Sequence, residues 1–192
     1  MLVGHFALAV AVRAKEPTVP LWSLMLGSQL LDVMFVPLYV SGIETIKTVG
    51  GGGYGDAIIH ANYTHSLVGA LVISALAGLL AARIWGRRGG LVIGAVVFSH
   101  WVLDLIVHRP DMPILPGNLG DLPLLGLGLW QWPVASAGLE TALVAVGALL
   151  YFRSVVLRSK ETVGQRYTIR AFTAGGVTSA LLVLCLITDV MS

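Results

Sequence analysis

Residues 91–107 read Leu-Val-Ile-Gly-Ala-Val-Val-Phe-Ser-His-Trp-Val-Leu-Asp-Leu-Ile-Val, and this stretch decides the fold. It approaches the length of about 20 apolar residues that a helix needs to cross a bilayer. Within it only His100 and Asp104 can ionise, and their i, i+4 spacing places both on one helix face, a turn apart. A membrane helix carrying a histidine and a carboxylate on one face is therefore the first reading.

Similar runs flank it at Leu21 to Ile43, Tyr63 to Ile84, Leu127 to Phe152 and Ile169 to Val190, and a shorter one covers Leu2 to Ala14, closed by Lys15-Glu16-Pro17. The expected fold is all-α: a polytopic membrane bundle of about six helices, the first too short to span fully. Composition agrees, because 56% of the 192 residues are hydrophobic, only 11% are charged and the mean hydropathy is +0.86. A water-soluble domain carries about a quarter charged residues. One integral membrane domain covering residues 1–192 leaves little room for a separate soluble unit.

The basic residues give an orientation. Of the 12 Lys and Arg, all but Lys47 and Arg109 fall after the first helix, between the third and fourth, or around the connection between the fifth and sixth. Those loops are expected on the cytoplasmic side of the membrane, with the 44–62 and 109–126 loops outside. Trp22, Trp85 and Tyr151 then mark inner ends, and Tyr39, Tyr63, Trp130 and Trp132 outer ends.

A net charge of +2 gives no surface for nucleic acid. The lone Cys185 excludes an intrachain disulfide or a thiolate zinc site. Arg13 and Lys15 follow the first apolar run instead of preceding it, the reverse of a secretory signal, so that run is expected to be a mature helix. The Gly50-Gly51-Gly52-Gly53-Tyr54-Gly55 run lacks the Lys-Ser/Thr of a nucleotide loop and reads as a flexible outer loop or lid.

Ionisable groups inside hydrocarbon are costly unless paired or functional. This chain places His5, Asp32, His60, His65, His100, Asp104 and Glu140 in or beside its apolar runs. At a rise of about 1.5 Å per residue, His5, Asp32, His100, Asp104 and Glu140 fall roughly 12–20 Å from the inner ends of their helices. They share a layer; His65 lies nearer the outer surface unless its segment dips inward. A helix–helix hydrogen bond explains any one of them alone. Together, imidazoles and carboxylates from several helices are the ligand set of zinc and related divalent metals. A proton or ion pathway would use similar residues. His108 continues the His100/Asp104 row, but beside Arg109-Pro110-Asp111 it reads as an interfacial loop residue.

The segments Gly4-His5-Phe6-Ala7-Leu8, Leu26-Gly27-Ser28-Gln29-Leu30-Leu31-Asp32, His60-Ala61-Asn62-Tyr63-Thr64-His65-Ser66 and Ser99-His100-Trp101-Val102-Leu103-Asp104 occur in this order. Together they resemble the YdjM family of membrane-bound metal-dependent hydrolases, over about His5 to Pro116. The resemblance implies that His5, Asp32, His60, His65, His100 and Asp104 bind metal or act in catalysis, and that the membrane is the bacterial inner membrane. Where that family has Asp-x-Asp-His, this chain reads Asp32-Val33-Met34-Phe35, one carboxylate and one histidine fewer, which argues for one metal. Glu140 is a candidate replacement carboxylate.

The expectation is a membrane-embedded hydrolase. His5, His65 and His100 with Asp32 or Asp104 would hold Zn²⁺, and Glu140 or the non-ligating Asp would be the general base. Its substrate would be a lipid or other amphiphilic ester or phosphoester drawn from the membrane. The rival readings are a small proton- or ion-coupled transporter and a non-catalytic membrane scaffold.

Overall fold

A computed structural model describes residues 1–48, 57–161 and 165–191. The expected Gly50–Gly55 lid lies outside the described residues. Helix α1 (Leu2–Lys15) ends where the Glu16 N–H bonds Val12 O and Pro17 stops the chain, as the punctuation predicts. It is buried on two sides. Val3, Ala7 and Val10 pack with Val144, Tyr151 and Leu182, while Ala9 joins Val19, Leu24, Leu31, Val97 and Trp101. Its small residues allow close approach: a Cβ added at Gly147 would lie 2.4 Å from Ala7 O.

The run expected as one helix over 21–43 is two, α2 (Leu21–Ser28) and α3 (Leu30–Val40), bent by 47° at Gln29. After α3 the chain forms an antiparallel ribbon, β1 (Thr45–Thr48) with β2 (Ala57–His60), in which Ile46 faces Ile59 and Thr45 faces His60. The 44–62 segment expected as loop therefore contains sheet. Its Ile46, Ile58 and Ile59 supply the β-branched residues that a strand favours.

The third and fourth expected helices lie within one helical stretch, α4 (Leu67–Val107), which doubles back at Trp85 and Gly86. Gly86 adopts φ +72, ψ 175, open mainly to glycine. The reversal shows in the packing. A Cβ on Gly78 would stand 2.9 Å from the carbonyl oxygen of Gly90, and one on Gly94 3.2 Å from that of Ser74. Small residues thus let the two halves pack backbone to backbone, as membrane helix pairs do. At the turn Arg88 donates two bonds to Glu16, 2.7 and 3.0 Å, which hold that carboxyl below its usual range.

Helix α5 runs Pro133–Glu161, starting later and ending later than expected because Leu129–Gln131 forms a separate 3-10 turn. Helix α6 is Gln165–Met191. Among the described residues, α4, α5 and α6 are long and apolar enough to cross a membrane, and the bent α2–α3 pair makes a fourth candidate. The short α1 is not among them. Val40, Leu79, Ile84, Leu91, Val134, Leu149 and Ile169 stand more than 60% exposed, an outer surface suited to lipid rather than water.

Candidate metal centre

Three folding events bring the polar residues together. The stop of α2 at Ser28 leaves that carbonyl without a helical partner, and His100 Nδ1–H donates to it at 2.6 Å. The turn before α4 projects Thr64 and His65 inward, held by the Trp101 indole N–H on His65 O at 2.8 Å. Glu140 on α5 accepts the Gly4 N–H at 3.0 Å, near the positive end of α1, and so seats the helix that carries His5.

Each hydrogen bond at an Nδ1 fixes what the opposite nitrogen presents. Ser28 O can only accept, so neutral His100 exposes a bare Nε2. The Thr64 hydroxyl lies 3.0 and 3.2 Å from the two Glu44 oxygens and 2.9 Å from His65 Nδ1. It therefore donates to Glu44 and accepts from His65, baring His65 Nε2. His108 Nδ1 donates to Asp111 Oδ1 at 3.1 Å. Such partners behind an imidazole are what orient metal-binding histidines.

The bare nitrogens converge on two carboxylates. His65 Nε2 and His100 Nε2 are 3.4 Å apart. Asp32 Oδ1 lies 3.4 Å from the first and 3.5 Å from the second. Asp104 Oδ2 lies 3.5 and 3.1 Å from the same pair. Four ligand atoms about 2.0–2.2 Å from a tetrahedral zinc ion stand about 3.3–3.6 Å from one another. Either carboxylate, taken with His65 Nε2 and His100 Nε2, nearly has that spacing already, so these donors fit a divalent metal held by both imidazoles and one carboxylate.

His5 Nε2 approaches the other Asp104 oxygen at 3.1 Å, and its ring stacks on His100 at 3.9 Å. Two groups could hold an ion: His5, His100 and Asp104, and Asp32, His65 and His100. Because His100 Nδ1 is already bonded, only its Nε2 can serve, so the groups are alternatives around one centre.

The expected residues do not all meet. His60 sits in β2 opposite Thr45, outside both groups. Glu140 is fully buried beside the start of α1, where it accepts the Gly4 N–H, and is not among the residues that line the cavity. His108, read as a loop residue, is 4% exposed, with Nε2 3.8 Å from Asp104 Oδ2. Its place in the i, i+4 row was the available signal. Glu44 had none, since it lies at the edge of an apolar run; it is fully buried and also accepts the N–H groups of Tyr63 and Thr64.

A cavity of ≈ 230 Å³ opens onto the centre, with His5, Asp32, His65, Asp104 and His108 at its polar end. Leu2, Phe35, Ile46, Ile59 and Trp130 form its apolar walls. The Asp32 side chain is 47% exposed, so the site is open on the α3 side. The chain matches no known family model, no curated protein and no solved structure.

Proposed function

We propose that this chain is a membrane-embedded, metal-dependent hydrolase whose metal is held by His65, His100 and one of the two carboxylates Asp32 and Asp104, with His5 beside it. One observation carries the reading: the bare Nε2 atoms of His65 and His100 face each other at 3.4 Å between two carboxylates. A proton relieves one such contact, whereas a cation held by both imidazoles and one carboxylate relieves several at once and keeps a fourth position for water. Zinc is the metal proposed, from the mixed imidazole and carboxylate donors. The four ordered motifs that resemble the YdjM family support the same reading.

When bound, a divalent ion here would supply Lewis acidity and bring the pKa of a ligated water to about 7. The chain's own residues do the rest. Glu44 through Thr64, and Ser28 through its carbonyl, keep the imidazoles aimed. With Asp104 as the ligating carboxylate, Asp32, the more open of the two, is placed to take a proton from the attacking water. The apolar walls exclude bulk water and accept the hydrophobic part of a substrate.

An amphiphilic ester or phosphoester fits this geometry, because the cavity is open beside α3 and carries aliphatic walls next to its polar end. The YdjM resemblance supports a bacterial inner-membrane location, and the distribution of basic residues supports an orientation with the Arg83–Arg88 turn cytoplasmic and the centre nearer the outer face.

The test is metal content. Protein purified in detergent should carry zinc near one per chain, and His100→Ala should carry much less. Equal, near-zero metal in both would sink the proposal. With metal established, turnover of short- and long-chain aryl esters and of an aryl phosphodiester in mixed micelles, lost in His100→Ala, separates a hydrolase from a transporter.

A further inference from the structure

Asp111 is 7% exposed and uses its two carboxylate oxygens in opposite directions. Oδ1 accepts from His108 Nδ1 at 3.1 Å, and Oδ2 accepts the backbone N–H of Ile59 at 3.3 Å. The first bond turns His108 Nε2 toward Asp104 and the cavity. The second fixes β2. Ile59 and its cross-strand partner Ile46 both line the same cavity, so the residue that aims His108 also sets the height of the ribbon wall.

The surroundings hold Asp111 in place. The Asp111 N–H bonds Arg109 O at 2.7 Å, and Met112 pairs with Leu125. Gly126 passes so close to His108 and Arg109 that an added Cβ would overlap the Arg109 carbonyl, at 2.0 Å. Trp130 covers the other side of the His108 ring at 4.3 Å between centroids. His108 is thus a clamped imidazole with its Nε2 directed to the centre, not a solvated loop residue.

We propose that Asp111 is a positioning residue that presents His108 as an additional, cavity-side ligand of the metal centre and couples that ligand to the β1–β2 ribbon. A substrate that lifts the ribbon then alters the coordination of the centre, and a metal drawn onto His108 tightens the ribbon. The apolar group of an amphiphilic substrate would be the part sensed, since Ile46 and Ile59 are what the ribbon offers.

This inference rests on the metal-centre reading, and cobalt(II) separates the two. The wild-type protein, stripped and loaded with Co²⁺, should give a visible ligand-field spectrum that changes in His108→Ala and changes in the same way in Asp111→Ala, with Co²⁺ still bound in all three. Hydrogen exchange at residues 57–60 should accelerate in Asp111→Ala and much less in His108→Ala. An unchanged spectrum in cobalt-loaded Asp111→Ala overturns the positioning role, even if exchange accelerates. Exchange at 57–60 that matches wild type in Asp111→Ala overturns the coupling. Failure of the wild-type protein to bind Co²⁺ overturns the metal-centre reading itself, and this proposal with it.

Discussion

The Nδ1–H of His100 reaches across 2.6 Å to the carbonyl of Ser28, and this bond ties the second half of α4 to the break between α2 and α3. It keeps His100 Nε2 directed at Asp32 and Asp104 whether or not a cation is present. A metal that binds only the folded protein stabilises it by mass action, about 2.7 kcal/mol at a free concentration of 100 Kd. Zinc should therefore raise the midpoint of thermal unfolding in detergent. His100→Ala should show no such rise, and an equal rise in both would remove His100 from the centre.

Thr64 links Glu44 to His65, and its hydroxyl is the only part of the side chain that does so. Thr64→Val keeps the shape and loses the bond. Loss of an orienting partner behind a metal ligand costs about 10–100-fold in affinity. Competition with a chromophoric chelator should show that loss in Thr64→Val and recovery in Thr64→Ser.

Glu44 accepts from Tyr63 N, Thr64 N and the Thr64 hydroxyl while fully buried. Glu44→Ala strands these donors, at about 1–3 kcal/mol for each one left unsatisfied. Thermal unfolding should drop clearly for Glu44→Ala and less for Glu44→Gln, which retains an acceptor. Identical midpoints for wild type and Glu44→Ala would refute this role.

Gly147 is remote from the cavity, yet α1 packs directly on it next to Ala7. A leucine there pushes α1 away from α5 and carries His5 with it. Gly147→Leu should lower zinc affinity without touching any ligand, and Gly138→Ala, where no atom lies within 4 Å of an added Cβ, should not. Isothermal titration of the two variants makes the comparison.

The Glu16–Arg88 pair predicts a pH response of known sign. Bonding to Arg88 depresses the Glu16 carboxyl in the folded chain. Its contribution is present above the unfolded value of about 4.3 and disappears as pH falls through the folded one. Arg88→Gln should unfold slightly earlier than wild type at pH 7, with the gap closing as pH falls below that unfolded value and in high salt. A gap that persists under both conditions would assign Arg88 another role.

Much of this was legible in the sequence. Apolar length and the i, i+4 pair at His100 and Asp104 announced membrane helices and a polar face, because both follow from helix geometry alone. Breaks were harder. Nothing in Leu26–Asp32 demands that α2 stop at Ser28, since the bend is stabilised by the distant His100. Glu44, and the bond from Asp111 to Ile59, were hidden for a similar reason: partners 19 and 52 residues away are set by tertiary contacts, not by local spacing. Glu140 stood out as an ionisable group inside an apolar run, but its bond to the Gly4 N–H depends on which side of α5 meets α1, and the run gives depth without direction.

Asp32 also divides the duties of α3. Its carboxyl turns to His65 and His100 and lines the cavity, while the neighbouring Val33, Met34 and Val36 stand outward and apolar. One short helix thus separates a polar interior from an apolar exterior within a single turn.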